Sequence, residues 1–257
     1  RCNLLRADRE RVRAALREEG VDSEPARYSP WGLSLTTRVN VFALSAFKAG
    51  LLEVQDEGSQ LLALTAGARP GERVVDFCAG AGGKSLALAA AMESKGELVC
   101  CDVDEERLAD LKKRARRAGV SNHRLVHLGA EDRTAKWRGR ADRVLVDAPC
   151  SGIGALRRNP AARWRLTPAK VATFPPRQRA ILATDDAVPA GAIPASRYLE
   201  LLNLLGGHGR GKRDEHHAEI SAPRQSAPVR RPDAAVLAAA PGGALVTRAG
   251  AGPGRPR

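Results

Sequence analysis

Arg73-Val-Val-Asp-Phe-Cys-Ala-Gly-Ala-Gly-Gly-Lys-Ser85 decides the fold of this chain. Its first residues, apolar and β-branched, read as a buried strand over 73–77 that carries the acid Asp76 at its end. Gly80, Gly82 and Gly83 then let the backbone turn through positive φ and approach a ligand closely. From Lys84 the sequence becomes an apolar helix over 84–92. Strand, glycine loop and helix together open a βαβ unit.

Working downstream, strands are expected over 97–101, 124–128 and 143–146, with a helix over 105–118 closed by Gly119. That alternation predicts an α/β fold: a doubly wound, Rossmann-like parallel sheet with helical crossovers. A further helix is expected over 168–183, with Pro175-Pro176 inside it. Upstream, a helix over 8–19 has Val12, Ala15 and Leu16 on one face and Gly20 as its stop. Turn and short-strand material follows at 27–35, and a helix over 60–66 ends at Gly67 and the Arg69-Pro70-Gly71 turn. Residues 1–50 therefore read as a small α/β appendage and 51–183 as the main domain. The chain reads as folded from its first residues, so a natural start upstream of Arg1 is expected.

Beyond 183 the composition shifts. Gly and Pro make up 18 of the 74 residues from 184 to 257, against 23 of the preceding 183, and Tyr198 is the only aromatic there. Such a segment buries too little apolar surface to offset ordering entropy. A largely disordered tail is expected, with one helical patch at 195–205 and with the last strands of the sheet missing. The sequence contains no internal repeat.

A formal charge of +13 on 257 residues points to a polyanionic partner, most simply nucleic acid. Aromatics at 4% are too scarce for broad base-stacking platforms. Five cysteines without a CxxC pair argue against a disulfide scaffold and against a zinc site, so no metal is expected. No apolar run reaches the roughly 18–20 residues of a membrane span, and no signal segment opens the chain. The expectation is a cytoplasmic monomer with no membrane association.

Three ligands compete for the glycine loop. A P-loop would need its first glycine at position 78, which is Cys78; a dinucleotide fingerprint would need glycine at 85, which is Ser85. S-adenosylmethionine, which has no phosphates and an amino-acid moiety, fits best. An acid closing the next strand should then meet the ribose hydroxyls, and Asp102 is better placed for that than Asp104, which is expected to cap the following helix. A second loop follows Val144-Leu-Val-Asp147: Pro149 stiffens the turn and Cys150 stands at the mouth of the sheet. A thiolate there is a soft nucleophile able to attack an electron-poor ring carbon.

These pieces resemble the bacterial 16S rRNA cytosine-5 methyltransferases of the Fmu/Sun type, related to the NOL/NOP/Sun proteins. The resemblance runs over residues 1–183. It is carried by Val54-Gln-Asp-Glu-Gly-Ser-Gln60, Asp76-Phe-Cys-Ala-Gly-Ala-Gly-Gly-Lys84, Asp147-Ala-Pro-Cys-Ser-Gly152, and Leu156-Arg-Arg-Asn-Pro160 with Trp164, in the family's order. It implies that Cys78, Ala79, Gly80, Ala81, Gly82, Gly83 and Lys84, with Asp102, hold S-adenosylmethionine. Asp147 would lie near the methyl end or the target base, and an acid after the third strand would be displaced to Glu131 or Asp132. The implied activity is methylation of cytosine carbon 5 in ribosomal RNA, with Cys150 and Asp147 as catalytic positions. In the family two cysteines share the work: the Pro-Cys cysteine assists release, and the nucleophile lies in a later Thr-Cys-Ser strand after a Gly-Gly turn. This chain has no cysteine after Cys150. Its nearest echo, Pro241-Gly-Gly-Ala-Leu-Val-Thr-Arg-Ala-Gly250, lacks that ending and reads as accidental. Either the region after 183 is divergent or frame-disrupted and has lost the nucleophile, or Cys150 attacks by itself, as the Pro-Cys cysteine does in DNA cytosine-5 methyltransferases.

Arg157, Arg158, Arg163 and Arg165 follow the Pro-Cys loop and are expected to grip RNA phosphates, with Trp164 either stacking or packing. Lys112, Lys113, Arg114, Arg116 and Arg117 are expected on a solvated helix face, and Arg1, Asn3, Arg6 and Arg38 are weaker candidates for RNA contact. The alternative function is a catalytically inactive RNA-binding protein that keeps the methyltransferase fold. A P-loop NTPase is a distant third.

Overall fold

The computed structural model describes residues 1–129, 137, 139–153, 160–184, 236–238 and 244–248. Helix α1 (Arg9–Glu18) starts where the Asp8 side chain accepts the Arg11 N–H at 2.8 Å, and it buries Val12 and Leu16. A short antiparallel pair follows, β1 (Ser23–Pro25) with β2 (Leu33–Leu35), then a 3-10 turn at Val41–Ala43 and the single-turn helix α2 (Ser45–Lys48). Cys2, Ala7, Val12, Leu16, Val21, Ala46, Phe47 and Leu52 form a core belonging to this N-terminal module.

Helix α3 (Glu57–Thr65) leads into the main sheet, made first of β3 (Arg73–Asp76), β4 (Glu97–Asp102), β5 (His123–His127) and β6 (Arg143–Asp147). All four are parallel, as their β-branched, near-continuous apolar character requires of strands covered on both faces. Helix α4 (Gly83–Ala91) links β3 to β4, and α5 (Glu105–Ala118) links β4 to β5. Alternation along the strands sorts the core into two layers. Val74, Leu98, Cys100 and Leu145 meet Leu86, Leu88, Leu111 and Ala115 of α4 and α5 on one face. Val75, Val99, Cys101, Val144 and Val146 meet Trp137 and Ala141 on the other. Each fully buried Val or Leu in these layers contributes about 1.5–3 kcal/mol by leaving water.

The strand order is β5-β4-β3-β6-β8-β7. From β3 the chain moves out to β4 and β5, then returns to place β6 on the opposite flank of β3. Connections therefore diverge at the β3/β6 boundary and leave a crevice beyond the carboxyl ends of those strands. After α6 (Ala162–Arg165), α7 (Pro168–Thr184) runs with Pro175 and Pro176 inside it. The prolines remove the N–H donors that would have reached the carbonyls of Val171 and Ala172, and both of those residues are exposed, so water can take the donors' place.

The far edge of the sheet departs from expectation. β7 (Val236–Ala238) and β8 (Ala244–Arg248) lie in the segment expected to be disordered, and they close the edge expected to be open. β8 pairs with β6 antiparallel, Asp147 opposite Ala244 and Arg143 opposite Arg248. Residues 244–248 of the echo at 241–250 are thus a strand, made by an apolar, β-branched run that satisfies the hydrogen-bonding edge of β6. Its direction carries the chain after Thr247 toward Arg143, the end of the sheet opposite the crevice. The expected helical patch at 195–205 lies outside the described residues.

Candidate active site

The glycine loop is held from below by the end of β4. The Ala79 N–H donates to the Cys101 carbonyl at 2.9 Å, and the Gly82 N–H turns back to the Ala79 carbonyl at 2.9 Å. Asp102 then fixes the loop by its side chain: one carboxylate oxygen accepts the Gly80 N–H at 2.7 Å, the other the Asp104 N–H at 2.9 Å. Each oxygen keeps a lone pair for a further donor. Gly82 caps α4 at φ +83°, where a Cβ would stand 2.4 Å from Leu111 Cγ, so only glycine fits between loop and α5. Asp104 caps α5, accepting the Arg107 N–H at 3.0 Å, as expected of it.

Above the loop lies a cleft of about 700 Å³, within the range of small-molecule sites. Cys78, Gly80, Gly83, Lys84 and Asp102 line one side; Asp147, Pro149 and Cys150 line the other. Topology alone brings these together, since Lys84 follows β3 and Asp147 closes β6. The Lys84 ammonium donates to the Asp147 carboxylate in a partly buried ion pair. Burial pushes the Asp147 carboxyl up, opposed by Lys84. Burial also pushes the Cys78 thiol up to about 12, with Asp76, Asp102 and Asp147 adding to the rise. Cys78 is therefore a thiol and no nucleophile at neutral pH. Cys150 is only half-buried and its sulfur accepts the Gly152 N–H at 3.4 Å. Beneath the loop, Asp76 accepts the Ser85 hydroxyl at 2.7 Å while its other oxygen has no partner. Burial raises its pKa to about 7.

The family described as 16S rRNA methyltransferase RsmB/F matches residues 63–190, the stretch holding both loops. This chain belongs to the RsmB/F family. Two relatives with the family's activity in their names are a probable ribosomal RNA small subunit methyltransferase B from Synechocystis, 34% identical over 184 residues, and ribosomal RNA small subunit methyltransferase B from Proteus mirabilis, 32% identical over 184. The match covers 71% of this chain but only 41% and 43% of those proteins, so the chain spans about two fifths of their length. Among solved structures, PH0851 superimposes with a TM-score of 0.70 at 26% identity, over 96% of this chain and 58% of that one. NSun6 from Pyrococcus horikoshii gives 0.67 over 97% and 89%, at 18% identity, and shows the shared methyltransferase fold.

Within the RsmB/F stretch, α7 contributes residues that the sequence reading passed over. Phe174, Gln178 and Ile181 are its half-buried positions, spaced i, i+4, i+7. Arg177 and Ile181 line the cleft, and the Gln178 amide donates to the Pro149 carbonyl at 3.0 Å, bracing the Pro-Cys turn. Helical periodicity was the signal available for these. On α6, Arg163, Trp164 and Arg165 are all exposed: the Arg163 guanidinium lies 4.6 Å from the ring of Trp164, which at 77% exposure is no core residue. Arg157, Arg158, Glu131 and Asp132 lie outside the described residues. Two expectations are corrected. Arg1 and Asn3 are buried, Asn3 donating to the Gly50 and Ala118 carbonyls, so neither is an RNA contact. Arg114 and Arg117 are not on a solvated face but pair with the buried Glu53. No group of three or more metal-ligating side chains exists among the described residues, and none of their helices is long and apolar enough to cross a membrane.

Proposed function

We propose that the cleft binds S-adenosylmethionine and serves methylation of cytosine carbon 5 in ribosomal RNA. The observation that carries this reading is the meeting of Lys84, Asp147 and Cys150 across a cleft whose floor is the Asp102-anchored glycine loop. The donor set suits the cofactor: Asp102 has lone pairs for ribose hydroxyls, and the amide groups of Gly83 and Lys84 at the start of α4 suit a carboxylate. S-adenosylmethionine, when bound, supplies an electrophilic methyl group on a sulfonium.

Cytosine carbon 5 is too weak a nucleophile to be methylated unaided. Cys150 is the candidate that changes this: its thiolate forms a C–S bond at carbon 6, which leaves carbon 5 enamine-like. Asp147, paired with Lys84 at the cleft, is the candidate to hydrogen-bond the N3 and amino edge of the ring. After methylation a base takes the carbon-5 proton, the C6–S bond breaks, and the thiolate returns to Cys150. The target cytosine must stand out of any helical stack, and Arg163, Trp164 and Arg165 on α6 are suited to holding flanking RNA. In this reading the attack falls to Cys150, the half-buried thiol that lines the cleft, while Cys78 is held protonated.

The echo at 241–250, which lacks the Thr-Cys-Ser ending, favours a second reading: a protein that binds cofactor and RNA without turnover. The two are separated by incubating the chain and its Cys150→Ser variant with methyl-labelled S-adenosylmethionine and 16S rRNA. Label at cytosine carbon 5 that is lost on substitution supports transfer through Cys150. Cofactor binding without label in either protein selects the second reading.

A further inference from the structure

Glu53, in the segment joining the N-terminal module to α3, is a carboxylate with only 2% of its side chain exposed, and it faces α5. Arg114 Nη2 and Nε reach one of its oxygens at 2.9 and 3.3 Å, and Arg117 Nη2 reaches the other. The remaining arm of Arg114, Nη1, donates to the Ala81 carbonyl at 2.6 Å. Ala81 lies between Gly80 and Gly82 in the glycine loop, whose Gly80 and Gly83 line the cleft. One planar guanidinium thus touches the linker carboxylate with one edge and the loop with the other. Lysine, with a single point charge, cannot reproduce that fork.

The surrounding contacts make this a stiff connection. Gly50 approaches α5 so closely that a Cβ there would stand 2.0 Å from the Arg117 carbonyl. The Arg117 guanidinium lies 3.8 Å from the ring centroid of Phe47, a core residue of the module. On the loop side, Gly82 is pressed against Leu111 of the same helix.

We propose that Glu53 and Arg114 are positioning residues for the cofactor loop, through which the docked N-terminal module fixes the loop's conformation and couples its own placement to cofactor affinity. Asp102 holds the Gly80 N–H from the β4 side; Arg114 holds the Ala81 carbonyl from the α5 side. With both in place the loop is pinned on two flanks, and ordering it costs the cofactor less. Coupling of this kind is reciprocal: cofactor binding tightens the module's docking by the same factor. The inference rests on the S-adenosylmethionine reading of the cleft.

Arg117 provides the internal control, because it shares Glu53 but, unlike Arg114, donates no hydrogen bond to the loop. The experiment compares Arg114→Lys and Arg117→Lys by calorimetric titration with S-adenosylmethionine, by melting temperature, and by hydrogen exchange of the amides at 79–83 without cofactor. Both variants are expected to melt somewhat lower. Arg114→Lys alone is expected to weaken cofactor binding about tenfold and to speed exchange in the loop while leaving β4 protected. Equal affinities for Arg114→Lys and the unsubstituted chain, or equal weakening by both variants, would overturn the proposal. Glu53→Gln, which keeps an acceptor and removes the charge, should fall between the two. Absence of binding by the unsubstituted chain would overturn the cofactor reading and this inference with it, whereas binding that ignores Arg114 overturns the inference alone.

Discussion

Asp76→Asn is expected to make the protein more stable at alkaline pH, not less. Asp76 is 1% exposed, accepts one hydrogen bond from Ser85, and leaves its other oxygen without a partner. Burial raises its pKa from an ordinary 3.8 to about 7, against the lowering effects of Ser85 and Lys84. A folded-state pKa above the unfolded one means that the native chain binds more protons across that interval. Stability from this group is therefore complete below about pH 3.8 and is lost progressively as pH rises to about 7, with no further change above. At about 1.4 kcal/mol per pKa unit the loss amounts to roughly 4 kcal/mol. Asparagine cannot ionise, so it does not suffer this loss. Chemical denaturation of both proteins at intervals from pH 4 to pH 8.5, compared as a difference, isolates Asp76 from the other carboxyls. The expected difference shifts in favour of the Asp76→Asn variant by roughly 4 kcal/mol and flattens near pH 7. A difference independent of pH, or one that moves in favour of the aspartate as pH rises, would refute the reasoning.

Asp102→Ala removes the anchor of Gly80 together with the proposed ribose acceptor, and calorimetry should show S-adenosylmethionine affinity falling by about 10–100-fold. Asp104→Ala removes the cap of α5 and its exposed ion pair with Arg107, and should cost about 1 kcal/mol in denaturant unfolding. Gly82→Ala forces a methyl toward Leu111 at φ +83°, and should cost about 1–3 kcal/mol and impair the loop. Replacing Arg163 and Arg165 together by Ala should lower the slope of log affinity for single-stranded RNA against log salt by about 1.4 if each contacts one phosphate; an unchanged slope would remove α6 from the RNA surface.

The parallel sheet was legible because its signals are local. The run Val74-Val75-Asp76 before the glycines, the amphipathic stripe of Leu108, Leu111 and Ala115, and the caps Asp104 and Gly119 each say where an element starts, ends or faces. The placement of the two loops was legible for the same reason: glycines mark the turn after β3, and proline marks the turn after β6. What escaped were the relations between distant segments. Arg114 looks like part of a charged run, and only the docking of Glu53 against α5 turns it into a buried fork. Gln178 shows helical spacing, but its hydrogen bond to Pro149 depends on where α7 crosses the sheet end. The strand at Ala244–Arg248 is hidden by surroundings rich in glycine and proline; a free sheet edge on β6 supplies the pairing that composition does not reveal.

The most direct measurement is calorimetric titration of the chain with S-adenosylmethionine, and separately with ATP and NAD. The account predicts saturable heat with S-adenosylmethionine alone, abolished or strongly weakened by Asp102→Ala. Saturable binding of ATP or NAD in its place, or S-adenosylmethionine binding that does not depend on Asp102, would contradict it.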